Sequence, residues 1–385
     1  MGNFVCFLLV FRANKRFGKF GRTQRFRLPG FGPPRAITWI LPISCSGATR
    51  ESIQTGGRFV WYLFIYVLKR GLFLILPFFI IISACFVLIR LLPNVPVQQF
   101  GKDMSLVLQS RYRQGLTDIN GNPIPLIVQY GNFVKNTLIG GNWGLSEKLY
   151  FGQDCFQVFL SKLPNTIIVN AYASLFAVPM GLLLGIYAAL KKNKWQDHVI
   201  STGVMVMVSV PSYVYAFLIQ YVLCFKLKLF PLVMEAGTDY FSWSMFHSMI
   251  PAVLSLSLGS IAGYARFTRA ELTEVLTSDF LLLARTKGLT RGQTTVRHAL
   301  RNAMVPIFPN IISEVILVLS GSLIIESIFV VPGVGNLYVS SINTLDYNFF
   351  LLLSAFYTLI GLAAGIVVDL SYGIIDPRIR MGSKK

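Results

Sequence analysis

Apolar residues along this chain gather into six long runs, at about 71–92, 165–190, 199–225, 245–264, 305–330 and 349–372. Each can cross about 30 Å of hydrocarbon as an α-helix, which takes about 20 residues at 1.5 Å apiece. The pattern predicts an all-α integral membrane protein with six transmembrane helices. The fourth run is the weakest, because it holds Pro251 and several serines. Pro and Gly are tolerated in such helices where neighbours satisfy the freed backbone groups. Three runs carry glycines four residues apart, Gly181/Gly185, Gly259/Gly263 and Gly361/Gly365. That spacing puts both on one helix face and predicts close helix packing there.

The stretch between the fourth and fifth runs, about 265–304, is polar and basic. It is too long for a simple helix hairpin and too regular for disorder. Thr277 or Ser278 is placed to cap a short helix through Lys287. Gly288 suits the left-handed position past a helix end, and Leu289 supplies the apolar residue that commonly follows. Thr290-x-x-Gln293 reads as a capping box opening a second helix. Val296, Ala299, Leu300, Ala303 and Met304 then recur as an apolar stripe, with Arg297 and Arg301 on another face. The first helix, "DFLLLARTK", is apolar on most sides yet lies outside the membrane. Such a helix must be buried in something. Two sites are open to it: a groove in a separate protein, or the lipid headgroups.

Composition agrees with a membrane chain. It is 54% hydrophobic and 13% charged, against roughly 25% charged in soluble domains. The formal net charge of +19 admits nucleic acid, anionic lipid or positive-inside bias, and its distribution decides. Lys69-Arg70, Lys191, Lys192 and Lys194, the seven basic residues from Arg266 to Arg301, and the tail with Arg378, Arg380, Lys384 and Lys385 all fall on one side of a six-span chain. The segment 332–348 has no Lys or Arg. Both termini are therefore expected in the cytoplasm, with 93–163 as a large external loop. Nucleic acid is not an expected partner.

Residues 1–58 carry eight Arg, two Lys and one acid. They read as a poorly ordered basic extension on the cytoplasmic side, touching anionic lipid, or as the product of an upstream start. Segment 4–11 is too short to span, and its basic residues follow the apolar run, the wrong order for a secretory signal. The five cysteines and three histidines show no metal-ligand spacing. No G-x-x-x-x-G-K-[ST] occurs, so no phosphate-cradling loop is expected in this chain. Glu314 and Glu326 lie within or at the end of the fifth run, where an ionisable group is a pathway or gating candidate. The plainer reading is a hydrogen bond to a neighbouring helix.

The segment "DFLLLARTKGLTRGQTTVRHALRNAMVP" resembles the cytoplasmic signature loop of bacterial ABC importer permeases. It is most similar to the B-subunit branch of the dipeptide/oligopeptide permease family, which reads D-Y-V-x-T-A-R-A-K-G-L, then R-H-A-L-R-N-A and a Pro. Leu283 and Thr286 depart from that pattern. "GNWGLS" (141–146), "LPNT" (163–166), "SVPSY" (209–213), "ESIFVVPGVG" (326–335), Asp346 and "VDLSYGIIDPRIR" (368–380) are similar to further family motifs in the same order. The likeness covers roughly 60–380; "RLLPNVP" departs from the family's L-P-G-D-P, and 1–58 has no counterpart.

The resemblance implies a type I ABC importer permease with a cytoplasmic two-helix coupling loop at 265–304, inside a core of five helices at 164–380. Residues 59–92 would supply the first helix and 381–385 the tail. It implies a bacterial inner-membrane subunit without catalytic, cofactor or metal residues. A homologous second permease, two ATPase subunits that bind ATP and Mg, and an external solute-binding protein would complete the machine. Phe280, Leu283, Ala284 and Leu289 are the expected docking contacts, beside Asp279 and the Gly288 corner. Arg285, Lys287 and Arg297 are rim partners or mere topology signals. Asp369 would organise the tail with Arg378 or Arg380. The implied cargo is a dipeptide or oligopeptide; a nickel chelate, glutathione or a sugar remains the alternative within the family. A secondary transporter working without an ATPase is the reading from another class, and a membrane scaffold with no pathway is a third.

Overall fold

The computed structural model describes residues 71–91, 104–237 and 239–375. The basic extension, the "RLLPNVP" corner and the tail with Arg378 and Arg380 lie outside the described residues. Helix α1 is Gly71–Leu91. The external region follows with α2, Met104–Gln114, and α3, Leu126–Asn132, which widens into a π-helix at Phe133–Ile139. Then come α4, Cys155–Leu190, α5, Trp195–Ser209, and α6, Ser212–Ile219, with a π-helical continuation at Gln220–Lys226. Helix α7 is Trp243–Leu276 and α8 is Asp279–Thr286. The short α9, Arg291–Thr294, passes through a π turn at Thr295–Ala299 into α10, Leu300–Leu317. The chain ends with α11, Leu323–Ile328, α12, Val334–Thr344, and α13, Tyr347–Ile375. Among the described residues, β-structure is limited to isolated bridges.

Two of the six expected spans are not straight helices. Four helices, α1, α4, α7 and α13, are long and apolar enough to cross a membrane, and a bent pair makes five. That pair is α5 and α6, which meet at 101°. Val210, held extended ahead of Pro211, makes the corner, as expected where a proline ring excludes helical backbone from the preceding residue. The fifth expected span breaks after Leu317. Gly321 takes φ +64°, and Ser322 caps α11 by accepting from the Ile325 N–H at 3.4 Å. The fourth expected span continues as helix well past Tyr264, so α7 runs unbroken to Leu276.

The glycine pairs do not behave alike. A Cβ on Gly181 would lie 2.6 Å from Tyr264 Cβ and one on Gly185 2.7 Å from the Ala265 carbonyl oxygen. Helices α4 and α7 therefore approach backbone to backbone along this stripe. Gly361 and Gly365 face no atom within 4 Å among the described residues. At the other end, α1 joins the bundle through Ile82, Phe86 and Ile89, packed with Phe133 and with Leu351 and Ala355 of α13. The Phe86 and Phe133 rings stack at 4.9 Å.

Candidate functional site

The corner at Gly288 is built as its sequence predicts. Gly288 has φ +90°, and its N–H donates to the Arg285 carbonyl at 2.9 Å. Thr290 and Gln293 form the reciprocal capping box. The cap of α8 differs from expectation. Ser278 precedes the helix, but its hydroxyl donates to the Val275 carbonyl at 2.5 Å, so its side chain does not cap the helix. Asp279 stands in the first turn, where its charge favours the exposed amides.

Helix α8 sits on the bundle by one residue. Leu281 is 1% exposed and packs with Ala189, Leu272, Ala299 and Ala303. The outward face is formed by Phe280, Leu282 and Leu283, which are 44%, 62% and 57% exposed. Arg285 and Lys287 are exposed beside them, and Ala284 and Leu289 are half-buried. The structure thus brings Phe280 and Leu283 together on one open surface and adds Leu282 to it. In a run of three leucines the sequence alone does not say which points inward.

The second half of the loop is not a separate helix. It feeds through the π turn straight into α10. Ala299 and Ala303 are buried, but Val296 is 66% exposed. The widened turn advances the chain by more residues per turn than an α-helix, so the expected stripe loses its first member. Arg297 is exposed on this segment.

Two carboxylates organise the opposite end. Glu326 is wholly buried. Its Oε2 accepts from Gly335 N–H at 2.8 Å, Asn336 N–H at 3.4 Å and Thr166 Oγ1 at 3.1 Å. Thr166 in turn accepts from Val334 N–H at 2.8 Å, and Asn165 Nδ2 donates to the Pro332 carbonyl at 3.0 Å. Glu326 Oε1 has no hydrogen-bond partner among the described residues. A Cβ at Gly321, Gly333 or Gly335 would strike the Glu326 carboxylate, at 2.8 Å in the last case. The "LPNT" and "ESIFVVPGVG" motifs therefore form one joint.

Asp346, also fully buried, accepts from Ser146 Oγ at 2.6 Å, Lys148 N–H at 3.0 Å and Leu149 N–H at 3.1 Å. It follows Leu345, which holds the left-handed φ of 57° at the end of α12. Next to it, Arg111 grips Glu147 with two hydrogen bonds of 2.9 and 2.6 Å. That hydrogen bonding outweighs burial and holds the guanidinium pKa above its ordinary value. The "GNWGLS" loop is thereby pinned to the start of α13. Glu314 is half-buried on α10 and accepts from Ser260 Oγ of α7 at 3.0 Å. The structure places it in an interhelical hydrogen bond, away from Glu326. Sequence alone does not single out Thr166, Asn165 and Ser146. Their only signal was membership of short motifs whose partners lie 160 to 200 positions away.

Among known proteins, the family described as "binding-protein-dependent transport system inner membrane component" matches residues 181–381. The dipeptide transport system permease protein DppB of Bacillus subtilis is 33% identical over 322 residues, 83% of this chain and 99% of its own length. The oligopeptide transport system permease protein OppB of Haemophilus influenzae is 31% identical over 318 residues, 82% of this chain and 99% of its own length. A solved amino acid ABC transporter, crystallised with histidines, aligns with 57% of this chain and 94% of its own at 21% identity and a TM-score of 0.43.

Proposed function

The chain belongs to the family of binding-protein-dependent transport system inner membrane components, and from that premise we propose that it is the permease subunit forming half of a peptide translocation pathway. Its family is one of multi-pass membrane transport subunits, not enzymes. Energy then comes from ATP bound, with Mg, by two separate ATPase subunits. A homologous permease supplies the other half of the pathway, and an external solute-binding protein delivers the cargo. Peptide cargo is supported by relatives whose names specify dipeptide and oligopeptide transport.

The observation that carries this reading is the outward face of α8. Phe280, Leu282 and Leu283 present an apolar surface beyond every candidate span, while Leu281 anchors the helix beneath them. An apolar helix face held on a rigid corner fits a groove in a partner. The basic residues Arg285 and Lys287 form its rim and favour the cytoplasmic side. Both termini then lie in the cytoplasm, and the Asp346 and Glu326 joints face the binding protein.

Co-expression with the ATPase subunits tests the assignment. Changing Leu282 and Leu283 together to Asp should leave the protein inserted and abolish co-purification of the ATPases. Full ATPase recovery with that double variant would remove α8 as the contact. Import of labelled peptide by the complete complex, dependent on ATP and on the binding protein, tests the cargo.

A further inference from the structure

Asp197 and Arg269 form an ion pair that the docking surface does not include. Asp197 lies in the first turn of α5 and is 1% exposed. Its carboxylate takes the Arg269 fork, Nε to Oδ1 at 2.5 Å and Nη2 to Oδ2 at 2.8 Å. The remaining lone pairs accept from Asn193 N–H at 3.0 Å and Ser201 Oγ at 3.2 Å. Asn193 holds a left-handed φ of 63° in the turn between α4 and α5. One side chain thus ties together the end of α4, the start of α5 and the extension of α7.

Net stability is a weak reason for such a pair. Asp197 is buried but the Arg269 side chain is 35% exposed; the cost of desolvating the carboxylate offsets much of the attraction, and solvent screens the rest. What a bidentate arginine–carboxylate contact adds is fixed geometry. Its position gives that geometry a use. Arg269 precedes Leu272 by three residues on α7, one turn along the same side of the helix. Leu272 belongs to the buried cluster on which Leu281 of α8 rests. Adjacent turns of α7 therefore hold α8 and the start of α5. The far end of α5 is the 101° corner into α6.

We propose that Asp197 and Arg269 are positioning residues, the joint that passes displacement of α8 through α7 to the bent α5–α6 segment. This rests on reading α8 as the ATPase contact. The pair acts on the stoichiometry of transport, not on ATPase docking.

The test uses the full complex in proteoliposomes, with its ATPases and binding protein. A tryptic casein digest serves as cargo, with imported peptides quantified by mass spectrometry. Asp197→Asn keeps the side-chain volume and removes the charge; Arg269→Lys keeps the charge and removes the fork. For both, the ATPases should co-purify at wild-type yield. ATP hydrolysed per peptide imported should rise about tenfold for Asp197→Asn, as loss of a coupling free energy would give, and less for Arg269→Lys. An unchanged ratio in an assembled Asp197→Asn complex overturns the joint. Failure of both variants to assemble also overturns it, since the pair would then only hold the fold. Undiminished ATPase recovery with the α8 double variant overturns the docking reading instead, so the two failures are separable.

Discussion

The Thr166 hydroxyl is shared between Glu326 and Val334. It donates to Glu326 Oε2 at 3.1 Å and accepts from the Val334 N–H at 2.8 Å. Thr166→Val, nearly isosteric, would leave a backbone amide and a buried carboxylate short of partners. A loss of about 1–3 kcal/mol in resistance to denaturation is expected. Thr166→Ser should retain most of it. Thermal unfolding in detergent distinguishes them, and equal stability of the Val and Ser variants would show that the shared hydroxyl contributes nothing.

Asp346→Ala removes the acceptor of one hydroxyl and two backbone amides. Hydrogen bonds to a charged group contribute about 1.5–3 kcal/mol each, and orphaned donors add to the loss. The loop at 141–149 should become open to protease while the bundle stays folded. Limited proteolysis at Lys148 reads this directly; wild-type resistance there would mean the loop is held by other contacts.

Leu281→Ala should cost about 2–5 kcal/mol, the range for emptying a buried leucine site. Leu282→Ser should change stability by less than about 0.5 kcal/mol, as exposed substitutions do, yet reduce ATPase recovery. The reverse order would place the inward and outward faces of α8 the other way round.

Among the described residues an added Cβ at Gly288 meets nothing within 4 Å, so the obstacle there is the φ of +90°. Gly288→Val should sharply reduce transport, whereas Gly288→Asn, tolerant of left-handed backbone, should keep a substantial part. Equal uptake by the two variants would show that the corner's backbone is not what matters.

Gly181→Val should prevent α4 and α7 from closing, because its Cβ alone would already meet Tyr264 Cβ at 2.6 Å. Gly361→Ala should be tolerated by this chain's own fold. Comparing folded yield by size exclusion checks both; equal yields would contradict the close approach.

Local chemistry was legible in the sequence and remote geometry was not. The Gly288 corner and the Thr290 capping box could be read because each is decided within a few residues. The breaks could not. Pro211 marks a 101° corner, but Pro164, Pro179, Pro251, Pro306 and Pro309 all sit inside helices. A proline alone therefore does not locate a bend. Glycine spacing was equally ambiguous: a Cβ on Gly181 or Gly185 would strike α7, and one on Gly361 or Gly365 would meet nothing within 4 Å among the described residues. The inward turn of Leu281 depended on Leu272 and Ala303 being beneath it.

The gap between α10 and α11 also gives the subunit a compass. Between Val318 and Ser322 the backbone leaves the helix, and hydrocarbon offers no partner to a freed carbonyl or amide, at several kcal/mol each. Where that stretch or the α5–α6 corner lies at hydrocarbon depth, its unpaired backbone groups require protein or water beside them, so each break marks a side of the subunit that acyl chains do not cover.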